Sequence, residues 1–312
     1  MFSKRRSFFA FVSLCELCPT SYFGKLIRAM WDNTTLHMNF VYRWVACVLC
    51  GSILLLAFPL QAEENQWVFL PPAPLFKTLI GDPREPYTGI TAYGNQTRFE
   101  GAVGATFEFL RYTPPDQTQW GWGAFGEGFI LLDENGATFP MRDGDWYAGM
   151  FLSESSGFFS YRLEFEHQSS HLGDSLQGIR EPLFFSRENL NLASSFQPFD
   201  ELRLYARIGD WENIFPRGAD PFFCSVGTEI YSPASDFAGT FLRAYLTADF
   251  QWKGEAGGSF NKTFQLGFQW KFKKEENRDM RLALLYYNGL SDFGQFYQDP
   301  DEHWGIGLYF DP

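Results

Sequence analysis

The sequence predicts an all-β protein, a single antiparallel transmembrane β-barrel of about 12 strands. Three observations predict this fold. Apolar residues alternate with polar or small residues in many segments after residue 62, which is the period of a strand with one apolar face. No apolar run in that part is long enough for a membrane-spanning helix, which leaves a closed barrel as the membrane-spanning fold. Aromatic residues make up 19% of the chain, a loading that suits strands facing lipid.

Residues 1–62 are predicted to be an N-terminal extension and a signal peptide. An almost purely apolar run, residues 45–60, follows Arg43 and precedes Ala62, after which cleavage is expected. The run is shorter than the roughly 20 residues of a transmembrane helix, which favours a cleaved signal over an anchor. The basic region of the signal begins naturally at Met38, which we expect to be the true translation start.

Charge and cysteine content exclude several classes of function. The formal net charge is -12, and removal of residues 1–62, with six basic and two acidic residues, leaves about -16. Such an acidic chain lacks the electrostatic footprint of a nucleic-acid partner. Four of the five cysteines lie in the removable segment, and with four His and no Gly-rich phosphate loop, we predict no metal site and no cofactor.

A Pro-rich lead, residues 63–87, precedes the barrel, which is expected to span residues 88–312. The lead contains the motifs Pro-Pro-Ala-Pro at 71–74 and Asp-Pro-Arg-Glu-Pro at 82–86. Proline removes a backbone donor and favours extended conformations. We therefore expect an extended segment that is periplasmic or faces the lumen.

The strands are predicted from alternation interrupted by turn-type residues. In one such run, Phe264, Leu266 and Phe268 alternate with Gln265 and Gly267. Counting these runs gives twelve strands, an even number as in bacterial single-chain barrels: 88–94, 97–111, 118–132, 145–153, 157–169, 187–196, 201–209, 223–231, 239–252, 262–273, 279–288 and 303–310.

Alternation alone also fits a soluble sandwich, which stays open as an alternative. Three features favour a barrel in the bacterial outer membrane, surrounded by its lipids: the signal peptide, Trp and Tyr residues at strand ends, and charges such as Arg243 and Asp249 on the inner-type face. The last run ends in Phe310 close to the terminus, which resembles the terminal strand that barrel-assembly machinery reads. That machinery is an expected partner, whereas the oligomeric state is not predicted.

Three separated blocks carry a family resemblance. They are residues 69–86, residues 167–174 with Arg180 and 186–188 behind them, and residues 287–297. In this order they resemble a bacterial family catalogued as domain of unknown function 1207, over residues 69–311. The resemblance implies an exported, barrel-like protein and implies no biochemical activity.

One constellation could carry chemistry. His167 and Ser169 are two residues apart in a strand, so their side chains share a face about 7 Å apart at Cα. By parity with Phe165, that face is the one towards lipid. The pair looks like the active strand of outer-membrane phospholipase A, in which His activates Ser for attack on a lipid ester. That enzyme also uses an Asn on the neighbouring strand and a Gly-rich segment after the Ser, whereas Ser170-His171-Leu172 follows here.

Structural interpretations stand beside these functional ones. His171 and Asp174, three residues apart, suit a tight turn, although Asp174 could instead orient His171 in a catalytic group. Arg180, Arg187 and Glu188 are expected to form a lumen ion-pair network rather than a binding clamp. The remaining binding candidates could contact a sugar or a lipid headgroup but equally suit a polar loop: Asn288, Ser291, Gln295 and Tyr297.

Two functions are therefore expected to compete. The first is a non-enzymatic barrel, structural or conducting small solutes, with Arg162, Arg203, Arg243 and Asp249 lining its lumen. The second is an outer-membrane lipid hydrolase of the phospholipase or lipid A deacylase type, which uses the His-x-Ser pair.

Overall fold

The computed structural model describes residues 66–311 apart from 116, 135–137 and 274–278. The predicted signal peptide, the start at Met38 and the cleavage after Ala62 lie outside the described residues. The described chain forms fourteen strands: β1 Gln66–Phe69, β2 Thr88–Tyr93, β3 Arg98–Thr113, β4 Gln119–Asp133, β5 Met141–Ser156, β6 Phe159–Leu172, β7 Phe185–Phe199, β8 Leu202–Phe215, β9 Phe222–Tyr231, β10 Ser235–Phe237, β11 Thr240–Lys253, β12 Ser259–Phe272, β13 Asp279–Leu290 and β14 Pro300–Asp311.

Twelve of these strands close into an antiparallel barrel. Each wall strand pairs with the next wall strand along the chain, and β14 pairs with β2 to complete the circle. The twelve wall strands correspond to the twelve predicted runs, so the predicted fold class is confirmed. Two short strands were not predicted. One is β1, which pairs with the end of β3, and the other is β10, which pairs with β11.

The two ends of the barrel differ. We call the end at which β2 begins and β14 finishes the terminal end, because Thr88 pairs with Phe310 there. The opposite end, the loop end, carries the two longest connections between wall strands that the structure describes throughout, residues 173–184 and 291–299. Short turns at the terminal end and long loops at the other are typical of outer-membrane barrels.

Alternation along each strand separates an apolar outer face from a polar inner face. On β12, Leu266 and Phe268 are half exposed, whereas Gln265 and Gln269 are nearly fully buried. The same split runs around the wall: the exposed positions are mostly Leu, Ile, Val, Phe and Trp, and the buried ones include many Arg, Glu, Asp, Asn and Gln residues. This is the reverse of a soluble barrel, in which the apolar face points inward.

The Pro-rich lead fills the lumen. Phe76 and Leu79 are completely buried, and they pack against Ala193 and Tyr205 of the inner wall. The lead joins β1 to β2, which both lie along β3: β3 takes eight residue steps from Leu110 to Ala102, whereas the chain takes 20 from Phe69 to Gly89. The segment between β1 and β2, residues 70–87, is longer than the distance it spans and folds into the lumen. We call this segment the plug. No helix in the described chain is both long enough and apolar enough to cross a membrane.

Candidate functional site on the outer face

Strand β6 places the His-x-Ser pair on the outside of the barrel, towards the loop end. The neighbouring residues Gln168 and Ser170 are buried and point inward, where the Ser170 hydroxyl donates to Asp143 Oδ1 at 3.1 Å. Successive side chains of a strand face opposite sides, so His167, Ser169 and His171 share the outer face. This is the orientation that parity with Phe165 predicts.

Glu188 completes this group from the neighbouring strand. It lies directly opposite His167 in the register of β6 and β7, and its Oε1 is 3.4 Å from His167 Nδ1. The Glu188 side chain is 10% exposed and that of His167 is 37% exposed. At 3.4 Å this is an ion-pair contact rather than a hydrogen bond, with the carboxylate on the Nδ1 side of the ring. We call His167, Ser169 and Glu188 the outer-face triad.

Ser169 is unengaged in the described structure, since its hydroxyl makes no hydrogen bond to any described residue. Its cross-strand partners are Trp146 on β5, which is 50% exposed, and Ser186 on β7. Leu190 extends the outer face beyond Glu188 and is also half exposed. The outer face around the triad is mixed: it carries Trp146 and Leu190, and on β8 the exposed carboxylates Glu212 and Asp210, which lie opposite Glu188 and Leu190.

His171 and Asp174 are not brought together. His171 is exposed at the end of β6, whereas Asp174 begins a short 3-10 turn and accepts a hydrogen bond from the Gln177 amide. Within the described chain, no contact joins the imidazole to that carboxylate. Asp174 thus belongs to the turn rather than to the outer-face triad.

The three charges predicted to form one lumen network separate into three places. Arg187 points inward and pairs with Glu255 of the loop end, its guanidinium 4.0 Å from the Trp211 ring centre. Arg180 pairs with Asp299 at 2.6 Å between two loops. Glu188 lies on the outer face with His167. Of the three, only Arg187 lines the lumen as expected.

The polar block at residues 288–297 mainly folds the loop between β13 and β14 into the barrel mouth. Gln295 is completely buried, and its amide donates to the carbonyls of Ser170 and Leu183 at 3.0 Å. Ser291 Oγ accepts the Phe293 backbone N–H at 3.2 Å, and the ring of Tyr297 lies against that of Phe185. Asn288, opposite Lys262, lies on the outer side of β13. Ser291, Gln295 and Tyr297 therefore lie together in the loop 291–299, which we call the cap. Asn288 lies apart from it.

A lattice of ion pairs joins the plug to the wall. Glu85 pairs with Arg162, with one N–O distance of 3.2 Å, and lies 3.6 Å from Arg207. Asp82 also pairs with Arg207 and accepts from the Gln251 amide at 3.0 Å. All these groups are at least nine-tenths buried. Buried charges require such pairing, so the plug and the arginines of β6 and β8 depend on each other.

The cap is held by charge as well. Asp292 pairs with Lys253 at the end of β11. Burial alone would raise the pKa of Asp292, but Lys253 and Arg84 outweigh burial and hold that pKa below its ordinary value of 3.8. The Arg84 guanidinium lies between the rings of Phe129 and Phe293, 4.4 and 4.3 Å from their centres. Arg84 therefore connects the plug to the cap.

Within the described part of the chain, no group of three His, Cys, Asp or Glu side chains is placed to hold a metal ion.

Sequence reasoning grouped Glu188 with Arg187 and missed its pairing with His167. Parity could have separated them, because Arg187, Asn189 and Asn191 continue the polar inner face, whereas Glu188 is in phase with Leu190 on the outer face.

Comparison with known protein families identifies the family of this chain. Residues 61–311 match the family described as "Protein of unknown function (DUF1207)". The chain belongs to this family. No curated protein matches it.

Solved structures similar to this DUF1207 member include a porin and an outer-membrane phospholipase. They include outer membrane phospholipase A from Escherichia coli (12% identity, TM-score 0.47, 72% of this chain and 95% of that one), the "KdgM porin" (8%, 0.39, 72% and 98%) and LpxR from Salmonella typhimurium (10%, 0.38, 67% and 88%). At these sequence identities and TM-scores, the similarity carries no conclusion about function.

Proposed function

We propose that this protein is an outer-membrane barrel that hydrolyses a lipid ester at the outer-face triad. The observation that carries the proposal is the placement of Glu188 beside His167, with Ser169 two residues further on the same face. The apolar outer surface supports membrane insertion, and the two longest fully described connections, both at the loop end, support exposure of that end to the outside. In that orientation the triad lies on the external side, at the edge of the apolar band, beside the exposed carboxylates of β8.

The proposed chemistry requires His167 Nε2 to come within hydrogen-bond distance of Ser169 Oγ, a contact that is not formed in the described structure. Ser169 Oγ attacks the ester carbonyl while His167 Nε2 takes its proton, and the resulting imidazolium gives that proton to the leaving alcohol. Water, deprotonated by His167, then releases the fatty acid from the acyl-serine. Glu188 orients the ring through Nδ1 and stabilises its positive charge. An ester in the surrounding lipid reaches Ser169 laterally, without passing through the lumen.

The test uses the mature protein refolded in detergent and incubated with phospholipids and lipopolysaccharide, with divalent ions supplied. We expect Ser169→Ala and His167→Ala to lower the release of fatty acid at least about 10³-fold, and Glu188→Gln to lower it about 10- to 10³-fold. Ser186→Ala is the matched control, since it removes an outer-face hydroxyl on the next strand. A fluorophosphonate probe should label wild type but not Ser169→Ala.

Intact lipids after incubation with wild type, or turnover unchanged in Ser169→Ala, would refute the hydrolase. His171→Ala tests the second histidine on the face and should keep full activity, because His171 has no carboxylate partner in the described chain.

A second candidate, gated passage of small solutes, is favoured by a separate observation. Several inward polar atoms on β7, β9 and β11 are buried without a hydrogen-bond partner among the described residues: Asn189 Oδ1, Asn191 Oδ1, Ser225 Oγ, Thr247 Oγ1 and Asp249 Oδ1. Buried polar groups of this kind are normally satisfied by ordered water, which supports a hydrated column beside the plug. Wild type should open only rarely in planar bilayers and should conduct continuously when residues 70–87 are replaced by a strand-like linker of about seven residues. A replaced variant that folds but stays closed would rule out passage.

A further inference from the structure

A cavity at the terminal end of the lumen concentrates positive charge. It has a volume of about 150 Å³ and lies between the plug and the inner faces of β8, β9 and β11 to β14. Four cationic side chains and three carboxylates line it: Lys77, Arg203, Arg243 and Lys271, with Glu229, Asp279 and Asp311. This basic lining is unusual in a chain whose formal net charge is -12.

Two of the three carboxylates have both oxygens engaged, whereas Asp279 keeps one buried oxygen, Oδ1, without a hydrogen-bond partner in the described structure. Glu229 accepts from the Ile80 N–H at 3.0 Å and the Tyr231 hydroxyl at 2.7 Å, and it lies 3.4 Å from Arg203. Asp311 holds Arg281 through two hydrogen bonds of 2.6 and 2.8 Å. Asp279 accepts from the Gln269 amide at 2.6 Å and pairs with Lys271 at 3.3 Å.

Two of the four cations have no salt-bridge partner in the described structure. Within the described residues, neither Lys77 nor Arg243 makes a salt bridge, and the Lys77 ammonium makes no hydrogen bond. Lys77 also lies within electrostatic reach of three cations, Lys271, Arg203 and Arg243, and of the carboxylate of Asp200, which has the smallest of these effects. A dianion between Lys77 and Arg243 would relieve the repulsion among these cations.

The side chain of Arg243 is also held in a fixed orientation by its neighbours. Its Nε donates to Gln269 Oε1 at 2.6 Å, and its guanidinium carbon lies 3.6 Å from the centre of the Tyr231 ring. These contacts fix the plane of the group and leave its two terminal nitrogens for another acceptor. A fixed guanidinium fork matches the oxygens of phosphate in a bidentate arrangement.

We propose that this cavity, which we call the terminal-end pocket, binds a dianionic phosphate group, carried by inorganic phosphate, a phosphomonoester or a phosphatidic-acid headgroup. Arg243 supplies the fork and Lys77 the second positive charge, while Arg203 holds the plug through the carbonyls of Lys77 and Thr78. The volume accommodates the phosphate together with a small organic substituent. The site is independent of the outer-face triad.

The test is calorimetric titration of the full mature protein in detergent at constant ionic strength. Inorganic phosphate, glycerol 3-phosphate and short-chain phosphatidic acid are the three probes, with chloride as the reference anion. We expect saturable binding of at least one probe, weakened about tenfold or more in Lys77→Gln and in Arg243→Lys, which keeps the charge but loses the fork. Preference for the first two probes indicates a soluble ligand, and preference for the third a lipid.

Lys273→Gln is the matched control, because Lys273 lies near the same end but pairs with Asp236 outside the cavity. It should bind like wild type. Lys77 contributes no side-chain hydrogen bond to the described fold, so Lys77→Gln should fold normally even if an Arg243 variant does not. No binding of any probe by wild type, or equal binding by wild type and Lys77→Gln, would overturn the proposal.

Discussion

Neutralising Glu85 should loosen the plug without removing it. Glu85 is 2% exposed, and it accepts hydrogen bonds from Arg162 and from the backbone of Leu79, with Arg207 close by. Glu85→Gln keeps the shape of the side chain but leaves two buried arginines short of a negative charge. Removing one partner of a buried ion pair costs about 3–5 kcal/mol.

The effect on gating follows from that cost. At about 1.4 kcal/mol per tenfold change, a loss of 3 kcal/mol shifts the equilibrium between a docked and a displaced plug about 100-fold. Single-channel recording in planar bilayers should show openings about 100 times as frequent as in wild type. Glu181→Gln, at an exposed loop position, is the matched control and should leave the frequency unchanged.

The reasoning fails if Glu85→Gln folds into the barrel and opens no more often than wild type. That result would mean that the apolar contacts of the plug, rather than its ion pairs, hold it in the lumen. A rise in openings with Glu181→Gln as well would point to a general effect of charge instead.

Three further predictions concern the plug and the cap. Phe76→Ala removes a fully buried ring that lies 4.6 Å from the Arg162 guanidinium, so plug docking should weaken by about 3–5 kcal/mol, measured as faster proteolysis within the lead. Because the folded state lowers the pKa of Asp292, its pairing stabilises the cap above pH 3.8 and is lost as pH falls below that value; hydrogen exchange of residues 291–299 should accelerate there in wild type, and Asp292→Asn should abolish this dependence. Arg84→Ala removes the contact with Phe293 and should speed exchange in the cap at neutral pH, while Lys262→Ala, on the outer face, should not.

The wall strands could be predicted because their signal is local. Each strand needs only an alternation of exposed and buried positions, as in Phe264, Leu266 and Phe268, and neighbouring turns mark its limits. The positions of His167 and Ser169 on the outer face follow from the same parity. Strands β1 and β10 escaped because four and three residues are too few to show a period.

The partners across the barrel could not be predicted in this way. Glu85 meets Arg162 at a separation of 77 residues, and Ile80 meets Glu229 at 149. Such contacts depend on closure of the wall and on the path of the lead inside it, neither of which is encoded in a local pattern. The cross-strand position of Glu188 required the register of β6 and β7, which turn residues determine only within a few positions.

The route of the lead has a consequence for how the barrel is assembled. The plug is tied to the wall at both ends, by β1 on one side and by β2 on the other. Strand β2 is also half of the seam that closes the circle with β14. The plug must therefore enter the barrel before β2 and β14 pair, or be enclosed as they pair. A pull on the chain before β1 would be resisted first by the β1–β3 pairing and would reach the plug only after that pairing had sheared.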